Sequence, residues 1–169
     1  MTLGEKVGQL LWLGWHECLG LDEQAIRCVQ ELHAGGMIVM GRNVRKPGES
    51  AINAAGVRKT LDALQSRAKI PLLIGVDQEG GRVARLGTTP FTLAPPAGEI
   101  SSALEARNLA KTVGEELATV GINVNFAPVA DVNSNPENPV IGDRSFGASP
   151  IDVTGEVLDA RKNSGAEVA

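Results

Sequence analysis

Four apolar runs, residues 10–15, 37–40, 71–76 and 122–127, recur along this chain, and each gives way at its carboxyl end to a polar loop. Between them lie stretches whose apolar residues return at helical spacing: 23–33, 49–68, 101–120 and 150–163. Short strands that are apolar on both faces and alternate with helices specify a parallel sheet with right-handed crossovers. A further run at 165–169 reads as the start of a fifth strand. A (β/α)8 barrel and an open doubly wound sheet both fit such a repeat. Two features favour the barrel. Polar loops follow all four strands, and Asn123 and Asn125, alternating within the fourth, are expected to hydrogen-bond in a barrel interior or to the next loop. A complete barrel takes about 250 residues, so the 169 residues here correspond to four or five β/α units, read as one domain over 1–169.

The third run carries the strongest functional signal. It ends in Asp77, Gln78 and Glu79, followed by Gly80-Gly81 and then by Arg82 and Arg85. Ligand sites of parallel α/β folds gather at the carboxyl ends of the strands, where the loops converge. Acceptor side chains, arginines and two glycines that permit unusual backbone angles suit a pocket for a polar ligand. A carboxylate beside arginines is equally the pattern of an ion pair that orders a loop, and these residues alone leave both open. The turn-rich segment 87–98 is long enough to border the same site. Trp12 and Trp15 could line a ligand subsite by stacking, but tryptophans near a barrel end are more often core.

Composition narrows the classes. Apolar residues make up 43% and charged residues 21%, and the net charge is −4. That balance is ordinary for a globular domain and carries no basic footprint, so neither nucleic acid nor an anionic membrane surface is expected as a partner. No apolar run approaches a membrane span, and residues 1–6 lack the pattern of an export signal. Cys18 and Cys28 are too few for a disulfide framework, and His16 and His33 are the only histidines, so no metal site or other cofactor is expected. A cytoplasmic location with reduced thiols is the expectation.

Two stretches together, Gly75-Val-Asp-Gln-Glu-Gly-Gly-Arg-Val-Ala-Arg85 and Asn125-Phe-Ala-Pro-Val-Ala-Asp131 leading to Gly142-Asp-Arg-Ser-Phe-Gly147, resemble the N-terminal barrel of family 3 glycoside hydrolases. Within that family they are more similar to the β-N-acetylhexosaminidase branch, which acts on peptidoglycan-derived muropeptides, than to the β-glucosidases. Lys6-Val-Gly-Gln-Leu-Leu and Gly35-Gly-Met-Ile fit the same pattern.

The resemblance implies a TIM-type barrel and a carbohydrate substrate bearing a terminal N-acetylglucosamine. It carries the substrate-binding role onto Asp77, Arg85 and Arg144. A carboxylate can accept from two vicinal hydroxyls, and guanidinium forks can donate to ring substituents, so the chemistry agrees. Glu79, Arg82 and Asp143 are expected to hold those three in place, and Asp131 to support its loop.

Retaining hydrolysis needs a nucleophile and an acid/base. The resemblance puts the nucleophilic aspartate and an acid/base histidine beyond Ala169, so no catalytic residue is assigned within the chain. The expectation is a fragment, inactive alone, that self-associates through an unfinished barrel. Two other readings remain: a β-glucosidase of the same family, and a non-catalytic sugar-binding half barrel.

Overall fold

The computed structural model describes residues 1–161 and 167–168. Helix α1 (Leu3–Gly8) is opened by Thr2, whose hydroxyl accepts from the Glu5 N–H while the Glu5 carboxylate accepts from the Thr2 N–H. This reciprocal cap satisfies two otherwise orphaned donors. There follow β1 (Trp12–Leu13), α2 (Glu23–Gln30), β2 (Gly36–Val39), a four-residue α3 (Gly41–Val44), α4 (Ala54–Gln65) and β3 (Leu73–Val76). Two short strands, β4 (Gln78–Gly80) and β5 (Val83–Ala84), form an antiparallel hairpin before α5 (Ala103–Thr119), β6 (Val124–Asn125), α6 (Pro150–Arg161) and β7 (Glu167–Val168).

The main sheet has the order β1-β2-β3-β6-β7, and every pair in it is parallel. Strands that neighbour one another in chain order, with no reversal, make the arc of a TIM-type barrel. A doubly wound sheet instead reverses order at a switch point. The expected fifth strand is present as β7 beside β6, while residues 162–166 and 169 lie outside the described residues.

The limits of α2 and α4 differ from the sequence reading, α4 ending at Gln65 instead of residue 68. Helix α2 stops at Gln30, and His33 adopts a positive φ of 53°. Helix α4 starts at Ala54 instead of residue 49, because Asn53 is the cap: its side-chain oxygen accepts from Gly56 N at 2.9 Å. Upstream, Gly48 at φ 87° turns the backbone out of any helix.

Register assigns the two faces of the sheet. Met37 pairs with Ile74 and Val39 with Val76, and all four are buried among helix residues such as Val29, Leu61, Leu64 and Leu117. Each such side chain contributes about 1.5–3 kcal/mol by leaving water. The opposite, inner face is glycine at Gly36 and Gly75, and the Trp12 indole lies over both. Its ring meets Phe126 edge to face, centroids 5.1 Å apart. A methyl added at Gly75 would come within 2.6 Å of the Phe126 ring, so glycine there makes room for an aromatic filling. Trp15 is buried, its indole N–H donating to Gly20 O.

The expectation for Asn123 and Asn125 in the barrel interior is corrected. Val76 pairs with Asn125 in a parallel ladder, where partners point to the same side, so both asparagines lie on the helix-facing side. Their amides satisfy the backbone of β3 and of the hairpin. Asn123 Oδ1 accepts from Ile74 N at 2.6 Å and its Nδ2 donates to Leu72 O at 3.1 Å. Asn125 does the same at the other end, accepting from Gln78 N and donating to Gln78 O, both at 3.1 Å.

Candidate functional site

Asp77 is the first residue past β3, at the sheet's carboxyl edge. Val76 on one side is locked in the sheet, and Gln78 on the other is held through both backbone groups by the buried Asn125 amide. Gln78 is itself buried and its Oε1 accepts from Leu86 N at 2.9 Å, pinning the far end of the hairpin. The carboxylate between these anchors has little freedom of position.

The hairpin brings Arg85 back to it. Arg85 Nη2 donates to Asp77 Oδ2 at 2.8 Å, and the two side chains are 31% and 29% exposed, open enough to meet a ligand. Arg85 Nε is buried and has no acceptor among the described residues. The tight turn depends on glycine: Gly80 and Gly81 have φ of 105° and 53°, and a Cβ on Gly80 would sit 2.2 Å from Pro95 O. Gly81 N donates to Ala94 O, so the hairpin tip rests on the 87–98 segment, which does border the site.

Arg144 arrives from the long connection after β6, in a 3-10 turn spanning Gly142–Arg144. Its guanidinium forms a two-pronged fork on Glu79, Nε to Oε2 and Nη2 to Oε1, each 2.8 Å. The Glu79 hydrogen bond raises the Arg144 pKa above its ordinary value, against the effect of burial. Arg82 reaches the same connection in the other direction, donating to Val140 O and Ile141 O and pairing with Asp143 at 3.4 Å. Two crossed pairs therefore stitch the β4–β5 hairpin to the loop. Ser145, buried below, donates to Asp131 O at 2.6 Å, so Asp131 joins the loop through its backbone while the residue itself stays exposed.

Of the three residues singled out in the sequence, Asp77 and Arg85 are in direct contact. Arg144 is joined to the same hairpin through Glu79 but does not bond to Asp77; the Asp77 charge acts on it only over distance. The two arginines also open onto different spaces. Arg144 and Glu79 line a small cavity of about 60 Å³ against α5, whereas Arg85 lines one of about 310 Å³ together with Arg42, Arg45 and Lys46. Sequence reasoning missed Gln78 and Asn125 as the clamp that positions Asp77. The period-two asparagines were the available signal.

His16 is exposed, and its N–H donates to Asp22; the backbone oxygen of His33 accepts from Gln9 at the other end of the sheet, near Gly8. Neither bonds to the Asp77–Arg85 pair. Among the described residues, no group of three or more His, Cys, Asp or Glu is arranged to hold a metal ion, and no helix is long and apolar enough to cross a membrane.

A parallel barrel arc with a carboxylate–guanidinium pair at a strand end defines a TIM-type α/β protein with its polar site in the usual place. Residues 2–158 match the glycosyl hydrolase family 3 N terminal domain, and the chain belongs to that family. It is 42% identical to β-hexosaminidase A of Pseudoalteromonas piscicida, over 91% of this chain and 29% of that protein. To the β-hexosaminidase LpqI of Mycobacterium tuberculosis it is 33% identical, over 89% of this chain and 36% of that protein. The solved structure of a family 3 β-N-acetylglucosaminidase from a Paenibacillus species superposes with a TM-score of 0.89 at 37% identity, covering 99% of this chain and 32% of that one. The chain thus spans 29–36% of the length of these relatives.

Proposed function

We propose that this chain supplies the terminal-sugar subsite of an exo-acting, retaining β-N-acetylhexosaminidase, with Asp77, Arg85 and Arg144 as its sugar-binding residues. The observation that carries the reading is the Asp77–Arg85 pair, 2.8 Å apart and partly exposed at the carboxyl end of β3. One Asp77 oxygen is engaged by Arg85, which leaves the other free to accept from a sugar hydroxyl. Glu79 takes Arg144 Nε and Nη2 and Val140 O takes Nη1, so in this reading Arg144 reaches the ring only through its remaining Nη hydrogens, from its place on the neighbouring cavity. The names of the relatives, β-hexosaminidase and β-N-acetylglucosaminidase, favour terminal N-acetylglucosamine over glucose. Peptidoglycan-derived glycans are the substrate class that goes with this branch.

In this reading the chain contributes recognition and no chemistry. Asp77 is held by Arg85 in an ion pair, and the reading gives it a binding role, with the nucleophile and the acid/base supplied by residues other than these. Free Cys18 and Cys28 favour a reducing, cytoplasmic setting.

The test is a graft. Residues 2–158 replace the equivalent part of the Paenibacillus β-N-acetylglucosaminidase, and release of 4-nitrophenol from its N-acetyl-β-D-glucosaminide is followed. The graft should turn over this substrate in preference to the glucoside, while the chain alone releases nothing. In the graft, Asp77→Asn should lower kcat/KM by about 100-fold, a loss of roughly 2.7 kcal/mol. A folded graft that keeps full activity with the Asp77→Asn substitution rules the assignment out.

A further inference from the structure

The cavity of about 310 Å³ on the far side of Arg85 has four cationic residues in its wall and no acidic one. Arg42, Arg45 and Lys46 come from α3 and the turn after it, and Arg85 from the end of the hairpin. This inverts the balance of a chain with 16 basic and 20 acidic residues. Among the described residues only Arg85 of the four is in an ion pair, with Asp77. Arg42 is braced by Nε donating to Trp15 O at 3.1 Å, so its charge is held in place. The nearest acid along the chain, Glu49, is bonded to Lys46 N through Oε2 at 3.1 Å and is not part of the wall. Like charges gathered around one empty space repel one another, and the arrangement is relieved by an oxyanion. Guanidinium forks and an ammonium are the groups that recognise carboxylate and phosphate.

We infer that this cavity is an oxyanion subsite, which receives a carboxylate or phosphate carried by the saccharide whose ring is bound at Asp77 and Arg85. The inference rests on the sugar reading of that pair, because Arg85 is common to both sites. It adds a substrate class to that reading: an acidic saccharide is preferred over a neutral one.

Calorimetric titration of the chain at low ionic strength tests it, with N-acetylglucosamine, N-acetylglucosamine 6-phosphate, N-acetylmuramic acid and inorganic phosphate as probes. At least one acidic sugar should bind about tenfold more tightly than the neutral one, an advantage that shrinks as potassium chloride is raised. The phosphate ester and the lactyl carboxylate tell the two sources apart. The advantage should vanish in the Arg45→Ala/Lys46→Ala double variant, with neutral sugar bound as before. Both side chains are exposed, and an unchanged melting temperature verifies the fold. The charge-reversed Arg45→Glu/Lys46→Glu variant should prefer the neutral sugar.

Equal binding of neutral and acidic sugars overturns the inference while leaving the sugar subsite standing. So does a preference that survives the double variant, or the failure of every charged probe to bind. Inorganic phosphate that binds through Arg45 and Lys46 supports the anion cavity even if N-acetylglucosamine itself does not bind, so a failure of the sugar reading is seen separately.

Discussion

Replacing Asn125 by leucine, a side chain of similar size, isolates the clamp that holds Asp77. Asn125 is 9% exposed and Gln78 is 4% exposed, so neither the Gln78 N–H nor its carbonyl gains water when the amide is removed. Both bonds are 3.1 Å. A buried polar group left unsatisfied costs about 1–3 kcal/mol, and two on one peptide residue give roughly 2–4 kcal/mol, allowing for partial relaxation of the hairpin. Asn123→Leu is the internal control. It removes the same pair of bond types to Leu72 and Ile74; these partners are buried, but Asn123 itself lies at the exposed rim and water enters from its side, so a smaller loss of about 1 kcal/mol is expected. Urea unfolding of both variants, with equal m-values, measures the difference. Hydrogen exchange at the Gln78 amide should rise by the same free energy in Asn125→Leu alone. Equal destabilisation by the two variants, or a loss below about 1 kcal/mol for Asn125→Leu, would refute the claim that burial makes this clamp matter.

Other outcomes follow from the same geometry. Glu79→Ala leaves the Arg144 guanidinium, 22% exposed, without its carboxylate; the chain should lose about 1–2 kcal/mol by denaturant titration, below the figure for a fully buried pair. Gly75→Ala puts a methyl into the Phe126 and Trp12 rings and should cost about 1–3 kcal/mol, with a shifted tryptophan emission spectrum. Lys69 and the Thr2 N–H hold the Glu5 carboxyl at about 2, below its ordinary 4.5. Because the folded value is the lower one, the stability it contributes is complete above 4.5 and fades as pH falls toward 2. The difference in melting temperature between wild type and Glu5→Gln should narrow over that window. Exposed Leu10, Leu104 and Ile151 should make the isolated chain associate, with sedimentation showing a mass that rises with concentration and serine substitutions at these positions reducing it.

The strand–helix alternation was legible because a buried parallel strand leaves few choices of residue: each of the four apolar runs overlaps a strand of the main sheet. Asp77 was legible because the change from Val76 to three polar residues marks where β3 leaves the core. The β4–β5 hairpin was not, since strands of three and two residues show no periodicity and are defined by bonds from Asn125 and Leu86 that lie far along the chain or in the turn. The face of Asn123 and Asn125 was misjudged for a related reason. Alternation reveals that two residues share a side, and only the pairing of Asn125 with Val76 reveals which side that is. The fork between Arg144 and Glu79 joins residues 65 apart, a distance at which charge complementarity in the sequence selects no particular partner.

A crystal structure of this chain soaked with N-acetylglucosamine tests the sugar subsite most directly. Asp77 should accept from a ring hydroxyl at about 2.6–3.0 Å, with Arg85 still paired to its other oxygen. A sugar bound with clear density elsewhere, leaving the Asp77 carboxylate facing solvent, would contradict the assignment.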